Sequence, residues 1–231
     1  MRHDRLSGRR LATLALLVLA SLFSVALVAA RVDDAWEFET SALVWNLFLA
    51  WFPFVFALAV YDGYRRGRGS GYLTCFGLLW LLFLPNAPYI VTDFVHLGDT
   101  GATMLWFDAL MVTAFALTGL VLGLGSLFLV QAVVTAARGP VAGWATGLGA
   151  LGLSSVGIYL GRFLGLNSWD AVVDPGRVIG PLAEKVDESL VHPRFLAVTV
   201  VLTTFLLLAY LLLYTVAQTG LALQPRRPTR R

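Results

Sequence analysis

The sequence predicts an all-α polytopic membrane protein, a transmembrane helical bundle of about six spans. Of its 231 residues, 58% are hydrophobic and only 13% are charged, against the roughly 25% that is usual in a soluble domain. Charge-free stretches of 20 residues or more recur along the chain. A helix of that length crosses a hydrocarbon core about 30 Å thick, so these stretches indicate membrane spans.

Composition also excludes several other classes of protein. A single cysteine, Cys75, cannot form an intrachain disulfide, which excludes a disulfide-stabilised secreted scaffold. The high hydrophobicity excludes a disordered chain. The net charge is +3, but the basic residues stand in short runs between apolar segments. They indicate membrane topology, and we predict no nucleic-acid partner.

We predict one transmembrane domain, residues 11–217, between a cytoplasmic N-terminal segment, 1–10, and a basic cytoplasmic tail, 218–231. Its six spans are expected at about 11–30, 43–61, 72–91, 106–134, 144–163 and 195–217. The first span has a basic start and a passable cleavage site at its end, so a cleaved signal peptide is an alternative. Its 20 apolar residues exceed the roughly 7–15 of a signal peptide's core, which favours a retained helix.

The basic residues predict that both termini lie in the cytoplasm. Twelve of the 17 Lys and Arg residues fall in the N-terminal segment, the 62–71 and 136–143 loops and the C-terminal tail. These four segments share one side of a six-span chain, and an excess of basic residues marks the cytoplasmic side. We therefore expect a multi-pass protein of the bacterial inner membrane. We interpret the basic turn 65–71 as a topology signal, in preference to a contact with anionic lipid heads.

The longest outer loop, 165–194, is expected to contain a short amphipathic helix on the membrane surface. Apolar residues follow the turn at Asp174–Gly176 with helical spacing, and charged residues stand between them. This helix would cover the bundle or, alternatively, cap a site. Within the spans, glycines four residues apart, such as Gly119 and Gly123, predict close packing of spans 4 and 5 on their neighbours.

Two prolines predict that the third span is broken near its outer third. Pro85 and Pro88 each lack a backbone donor and clash with the preceding helical turn. Backbone carbonyls freed at that depth need partners within the protein or a wet cavity. The Asn86 amide is a plausible partner. Two interpretations stay open, the floor of a cavity and a kink whose hydrogen bonds are satisfied.

Polar residues from several spans are expected to converge on the outer side as a candidate polar cluster. Asp93 and His96 share a helical face, which suits an acid–base pair, a weak metal site or a structural pair. Arg162 suits a bound carboxylate or phosphate, or a structural clamp with Asp108 or Asp93. Asn46 reaches the same side. The full candidate set is Asn86, Asp93, His96, Asp108, Tyr159, Arg162, Asn167 and Asp170.

The conspicuous motifs resemble a bacterial family of multi-spanning membrane proteins, the domain of unknown function 1361. The resemblance covers about residues 43–215 and lies in five blocks, at 46–53, 84–97, 106–108, 157–162 and 167–170. It implies a helical membrane protein and supplies no activity, substrate or cofactor.

Three functional hypotheses follow. The first is a binding or partner-interacting membrane protein whose outer polar cluster holds a lipid head group, a small anion or another membrane protein. The second is a membrane-embedded enzyme acting on an envelope lipid or lipid-linked substrate, and the third is a small transporter using the broken span. The chain has no HExxH, GxSxG or phosphate-binding loop motif. We predict no metal site and no cofactor.

Overall fold

The structure, a computed structural model, describes residues 2–31, 37–99, 105–165 and 193–222. A ten-residue 3-10 helix spans Ile90–Asp99. The α-helices of the described ranges are α1 (Arg2–Ala30), α2 (Glu37–Arg65), α3 (Ser70–Phe83), α4 (Asn86–Tyr89), α5 (Leu105–Arg138), α6 (Pro140–Leu164) and α7 (Pro193–Ala222).

Six of the described helical segments are long and apolar enough to cross a membrane. They are Arg10–Ala30, Ser41–Arg65, Ser70–Val95, Leu105–Arg138, Pro140–Phe163 and Pro193–Thr219. The predicted bundle of about six spans is therefore confirmed, and so is the break in the third. The amphipathic helix expected within 165–194 falls outside the described residues.

Helix α5 is the centre of the bundle. It contacts α1, α2, α4, α6, α7 and the 3-10 helix. One apolar cluster, which includes Leu47 and Phe115, joins α5 to α1 and α2. A second, which includes Trp80, Leu127 and Tyr210, joins it to α3, α6 and α7. Most of the apolar surface of α1 and α7 stays exposed, as expected of helices that face acyl chains.

Side-chain contacts distinguish the two ends of the bundle. At one end, the Arg10 guanidinium lies 3.1 Å from the Asp62 carboxylate, next to the turn between α2 and α3. We call this the arginine-turn end. At the other, which we call the ion-pair end, Arg31 pairs with Asp108 and Arg162 pairs with Asp93. Among the described residues of the predicted set, Asp93, Asp108 and Arg162 thus lie at the end where span 3 is broken.

The break is satisfied by hydrogen bonds from within the chain. The Ala87 N–H donates to the Leu84 carbonyl over 3.2 Å. The Asn86 amide donates to the Phe83 carbonyl over 3.1 Å, which is the partner role that the sequence predicts for it. A cavity of about 10 Å³ beside Leu84 and Pro88 has room for about one water. Between the two interpretations, the structure favours a satisfied kink over a cavity floor.

Glycines of α5 and α6 make room for the broken segment. A Cβ atom at Gly119 would lie 2.5 Å from the Ala87 carbonyl oxygen, and one at Gly157 would lie 2.6 Å from Pro85 Cγ. At Gly123 it would lie 2.9 Å from the Ala87 Cβ. Close packing of spans 4 and 5 on a neighbour is confirmed at these three positions, because any side chain there would overlap the break.

We expect Gly119→Ala to destabilise the folded protein by about 1–3 kcal/mol, the usual cost of overpacking. The added methyl group would meet a backbone oxygen, which cannot move aside without shifting α4. The matched control is Gly125→Ala on the same helix, where a Cβ would meet only Phe54 at 3.6 Å. Thermal unfolding in detergent, followed by size-exclusion chromatography, measures both. Equal melting temperatures for the two variants would contradict the close-packing argument.

Candidate functional site

Four helical segments bring the Asp93 and Arg162 side chains together at the ion-pair end. The Arg162 Nη1 donates to Asp93 Oδ1 over 3.0 Å, and the Asn46 amide donates to Asp93 Oδ2 over 3.3 Å. The Tyr89 ring lies beneath the guanidinium, with its centroid 6.0 Å from Arg162 Cζ. We call Asn46, Tyr89, Asp93 and Arg162 the Arg162 site.

Local structure explains where the two charges of this site lie. Arg162 is in the last turn of α6, where a cation is favoured by the carbonyl dipoles of the helix. The helix ends at Leu164 and is capped by Gly165, whose φ of +67° is the left-handed conformation that glycine adopts readily. Asp93 is in the first turn of the 3-10 helix, directly after the break. The break therefore sets where Asp93 meets α6.

A second ion pair, between Arg31 and Asp108, ties α1 to α5. The guanidinium approaches the carboxylate with two nitrogens, since Nε lies 2.7 Å from Oδ1 and Nη2 lies 2.9 Å from Oδ2. Side-chain exposure is only 8% for Arg31 and 0% for Asp108. The alternative of an Asp108–Arg162 clamp is therefore wrong, and the Asp93–Arg162 clamp is confirmed.

Some of the remaining predicted residues make structural contacts, and the others lie outside the described residues. Asn86 caps the break, as described above. Tyr159 is buried, with its ring 4.7 Å from Phe163 and 4.9 Å from Phe195, centroid to centroid. The side chain of His96, with Asn167 and Asp170, lies outside the described residues. The proposed Asp93–His96 pair thus stays a prediction.

Sequence reasoning missed the contributions of Arg31 and Tyr89. Arg31 directly follows the first apolar run, and Asp108 stands in the first turn of α5. The first span ends and the fourth span begins at the same membrane surface, so Arg31 and Asp108 are expected at the same depth. This shared depth was the signal that could have paired them. Tyr89 directly follows Pro88, and this position alone gives no signal of a contact with Arg162.

Exposure separates the two ion pairs. The Arg162 and Asp93 side chains retain 19% and 10% of their accessible surface, more than the 8% and 0% of Arg31 and Asp108. A buried ion pair depends on both partners, because removing one leaves an uncompensated charge. A guanidinium that reaches the surface can meet a planar carboxylate or phosphate. The Arg31–Asp108 pair is thus enclosed in the bundle, whereas the Arg162 guanidinium is partly accessible.

Polar contacts deeper in the bundle join neutral groups. The Trp80 indole donates to the Ser126 hydroxyl over 3.0 Å, and the Tyr210 hydroxyl donates to the Gln131 side chain. Within the described ranges, no three metal-ligating side chains of the His, Cys, Asp and Glu types are grouped together. The described ion pairs, in contrast, lie at the two ends of the bundle.

Comparison with known proteins identifies a family. The family model described as "Protein of unknown function (DUF1361)" matches residues 45–209, which is more than half of the chain. The chain belongs to the DUF1361 family. The matched region of this DUF1361 protein contains the whole Arg162 site and Asp108, while Arg31 precedes it. A search of curated proteins found no match, and a search of solved structures found none either.

We expect Asp108→Asn to destabilise this DUF1361 protein by about 3–5 kcal/mol, because it leaves the Arg31 guanidinium buried without its counter-charge. The matched control is Asp62→Asn. Its partner Arg10 is 42% exposed, so the expected loss is at most about 1 kcal/mol. Folded yield and melting temperature in detergent measure the difference. Similar values for both variants would show that the buried pair contributes little.

Proposed function

We propose that this DUF1361 protein is a binding protein of the membrane, and that the Arg162 site holds an anionic group from a lipid head or a small anion. The observation that supports this most is the combination of a fixed and a partly exposed guanidinium. Asp93 and Tyr89 set the orientation of Arg162, while 19% of its side-chain surface stays accessible. A pre-oriented cation loses less conformational freedom when it binds an anion.

At this site an anionic ligand would compete with the Asp93 carboxylate for Arg162. An incoming carboxylate or phosphate would share or replace the contact that Arg162 Nη1 makes with Asp93 Oδ1. The Asn46 amide holds the other carboxylate oxygen, so Asp93 keeps a partner when the anion arrives. The sealed Arg31–Asp108 pair offers no comparable approach, which is why the proposal concerns Arg162 alone.

Binding is favoured over the other two hypotheses by the depth of the polar groups. A transporter needs polar groups that continue towards the middle of the bilayer. Here the described ion pairs lie at the ends, and the cavity beside the break has room for about one water. An enzyme would use Asp93 or His96 as its base. Asp93 is already engaged by Arg162 and Asn46, and the side chain of His96 lies outside the described residues.

We also propose that the ion-pair end faces the periplasm or cell exterior. The opposite end carries the arginines of the α2–α3 turn, Arg65, Arg66 and Arg68, together with Arg138 at the end of α5. Basic residues in short loops are concentrated on the cytoplasmic side. The Arg162 site would therefore take its anion from the outer leaflet or from the solution outside it.

The ligand proposal is tested with Arg162→Gln and Asp93→Asn in the full-length protein. Titration in detergent with phosphatidylglycerol and with inorganic phosphate, read by native mass spectrometry, gives the affinities. We expect Arg162→Gln to weaken binding about tenfold, because the charged donor is lost. We expect Asp93→Asn to preserve or strengthen binding, because the competing carboxylate is lost.

The matched control for this test is Arg194→Gln, which removes the same charge from an exposed arginine at the same end. Arg194 lies over the Phe163 ring, 4.9 Å from its centroid. If Arg194→Gln weakens binding as much as Arg162→Gln, the effect is general surface charge. If Asp93→Asn and Arg162→Gln both merely lower folded yield, the pair is structural. Either result overturns the proposal.

Orientation is tested separately with alkaline-phosphatase fusions, since this enzyme becomes active only outside the cytoplasm. We expect activity from a fusion after Thr100 and none from a fusion after Arg68. The matching reporter, green fluorescent protein, should give the reverse pattern. An inactive phosphatase after Thr100 together with an active one after Arg68 would invert the topology.

A further inference from the structure

The turn between α2 and α3 is held by a well-defined set of backbone hydrogen bonds. The Arg68 N–H donates to the Gly63 carbonyl over 3.0 Å, and the Gly67 N–H donates to the Tyr64 carbonyl over 3.1 Å. Gly67 has a φ of +66°. These are the two bonds and the left-handed residue of a Schellman motif. The backbone of Arg66 and Arg68 is therefore fixed relative to α2.

A cavity of about 230 Å³ opens beside this turn. Arg66 and Arg68 line it on the side of the turn, and Leu58 and Ala59 line it on the side of the membrane-spanning part of α2. The Tyr72 ring of α3 forms another wall, and Arg68 Cζ lies 5.8 Å from its centroid. The cavity is thus basic at one side and apolar at the other.

The shape of this cavity depends on a missing side chain. A Cβ atom at Gly63 would lie 2.6 Å from Tyr72 Cε1 and 3.3 Å from Leu73 Cδ2. Because Gly63 has no side chain, the Tyr72 ring can lie across α2. There the ring forms the wall of the cavity between the turn and the apolar residues Leu58 and Ala59. The same residue accepts the Arg68 hydrogen bond, so one position sets both the turn and the wall.

The charge of the cavity is positive. Asp62, its acidic lining residue, already pairs with Arg10, whose Nη1 lies 3.1 Å from Oδ1. Arg10 of α1 thus neutralises the charge of Asp62, and the two lining arginines, Arg66 and Arg68, give the cavity a net positive charge. Guanidinium groups recognise carboxylate and phosphate, and phosphate is the anion that phospholipid head groups share.

We propose that this cavity binds the phosphate of an anionic lipid head group in the leaflet at the arginine-turn end. Phosphate is the shared chemistry of a lipid head and a free anion. The lipid is favoured because the cavity lies where the spans Ser41–Arg65 and Ser70–Val95 end and begin, and because Leu58 and Ala59 offer an apolar surface to the glycerol and acyl chains. The site lies at the opposite end from the Arg162 site, and its proposal is independent of that one.

The test uses photoactivatable phosphatidylglycerol in phosphatidylcholine vesicles containing the full-length protein. Cross-linked peptides are mapped by mass spectrometry, so labelling at 58–72 is distinguished from labelling near Arg162. We expect strong labelling at 58–72 that unlabelled phosphatidylglycerol suppresses and phosphatidylcholine does not. The Arg66→Gln/Arg68→Gln variant should lose this labelling roughly thirtyfold, from roughly fivefold for each basic residue near a membrane surface.

Two further variants separate a built site from general charge. Arg227→Gln/Arg230→Gln removes the same charge from the C-terminal tail and should leave the labelling unchanged. Ala59→Leu fills the cavity without changing charge and should reduce the labelling, with folded yield checked for both. Equal loss in the tail variant, or full labelling with Ala59→Leu, would overturn the cavity as the site.

Competition with inorganic phosphate distinguishes the source of the anion. If millimolar phosphate leaves the labelling intact, the cavity takes the lipid. If phosphate suppresses the labelling of the wild-type protein, the cavity binds free phosphate by the same chemistry, and the lipid as its occupant is overturned. No labelling at 58–72 above that of a phosphatidylcholine photoprobe would overturn the proposal, whatever is found at Arg162.

Discussion

A helix interrupted inside a bilayer must have its freed backbone groups satisfied by the protein, and this requirement organises the structure around α4. Pro85 and Pro88 end α3 early, and the Asn86 amide donates to the Phe83 carbonyl, which the break has freed from the helical pattern. The break then needs space, which α5 and α6 provide by lacking side chains at Gly119 and Gly157. The 3-10 helix that follows the break packs mainly on α5, and from there the Asp93 side chain reaches Arg162 at the end of α6.

Three described ion pairs differ in burial, and burial separates what each contributes. Arg31–Asp108 is enclosed, so its value lies in joining α1 to α5. Arg10–Asp62 is largely hydrated, so screening limits its energy. Asp93–Arg162 lies between these extremes. Its partners are held at 3.0 Å while part of the guanidinium stays accessible, and the proposed binding role rests on this intermediate burial.

Much of the architecture was predictable from the sequence, because lipid imposes strong rules on length, charge and backbone bonding. The six spans, the break and the close packing at Gly119 all follow from such rules. The sequence limited the candidate ion-pair partners of Arg162 to Asp93 and Asp108. It could not decide between them, because both lie near the same membrane surface. The choice depends on how α1 packs against α5. Because Arg31 of α1 pairs with Asp108, Arg162 pairs with Asp93. The cavity beside Tyr72 was also beyond prediction, because it depends on one ring crossing Gly63.

The enclosed pair between Arg31 and Asp108 has a consequence for biogenesis. The two residues are 77 positions apart, so at about 5–20 residues per second the ribosome needs about 4–15 s to make the second after the first. During that interval the Arg31 guanidinium must stay hydrated at the lipid head groups, where a charge costs least. The ion pair that holds the first helix against α5 can therefore form only after the start of α5 has been synthesised. Its closure is a post-insertion step, in which a guanidinium leaves the head groups as its carboxylate arrives.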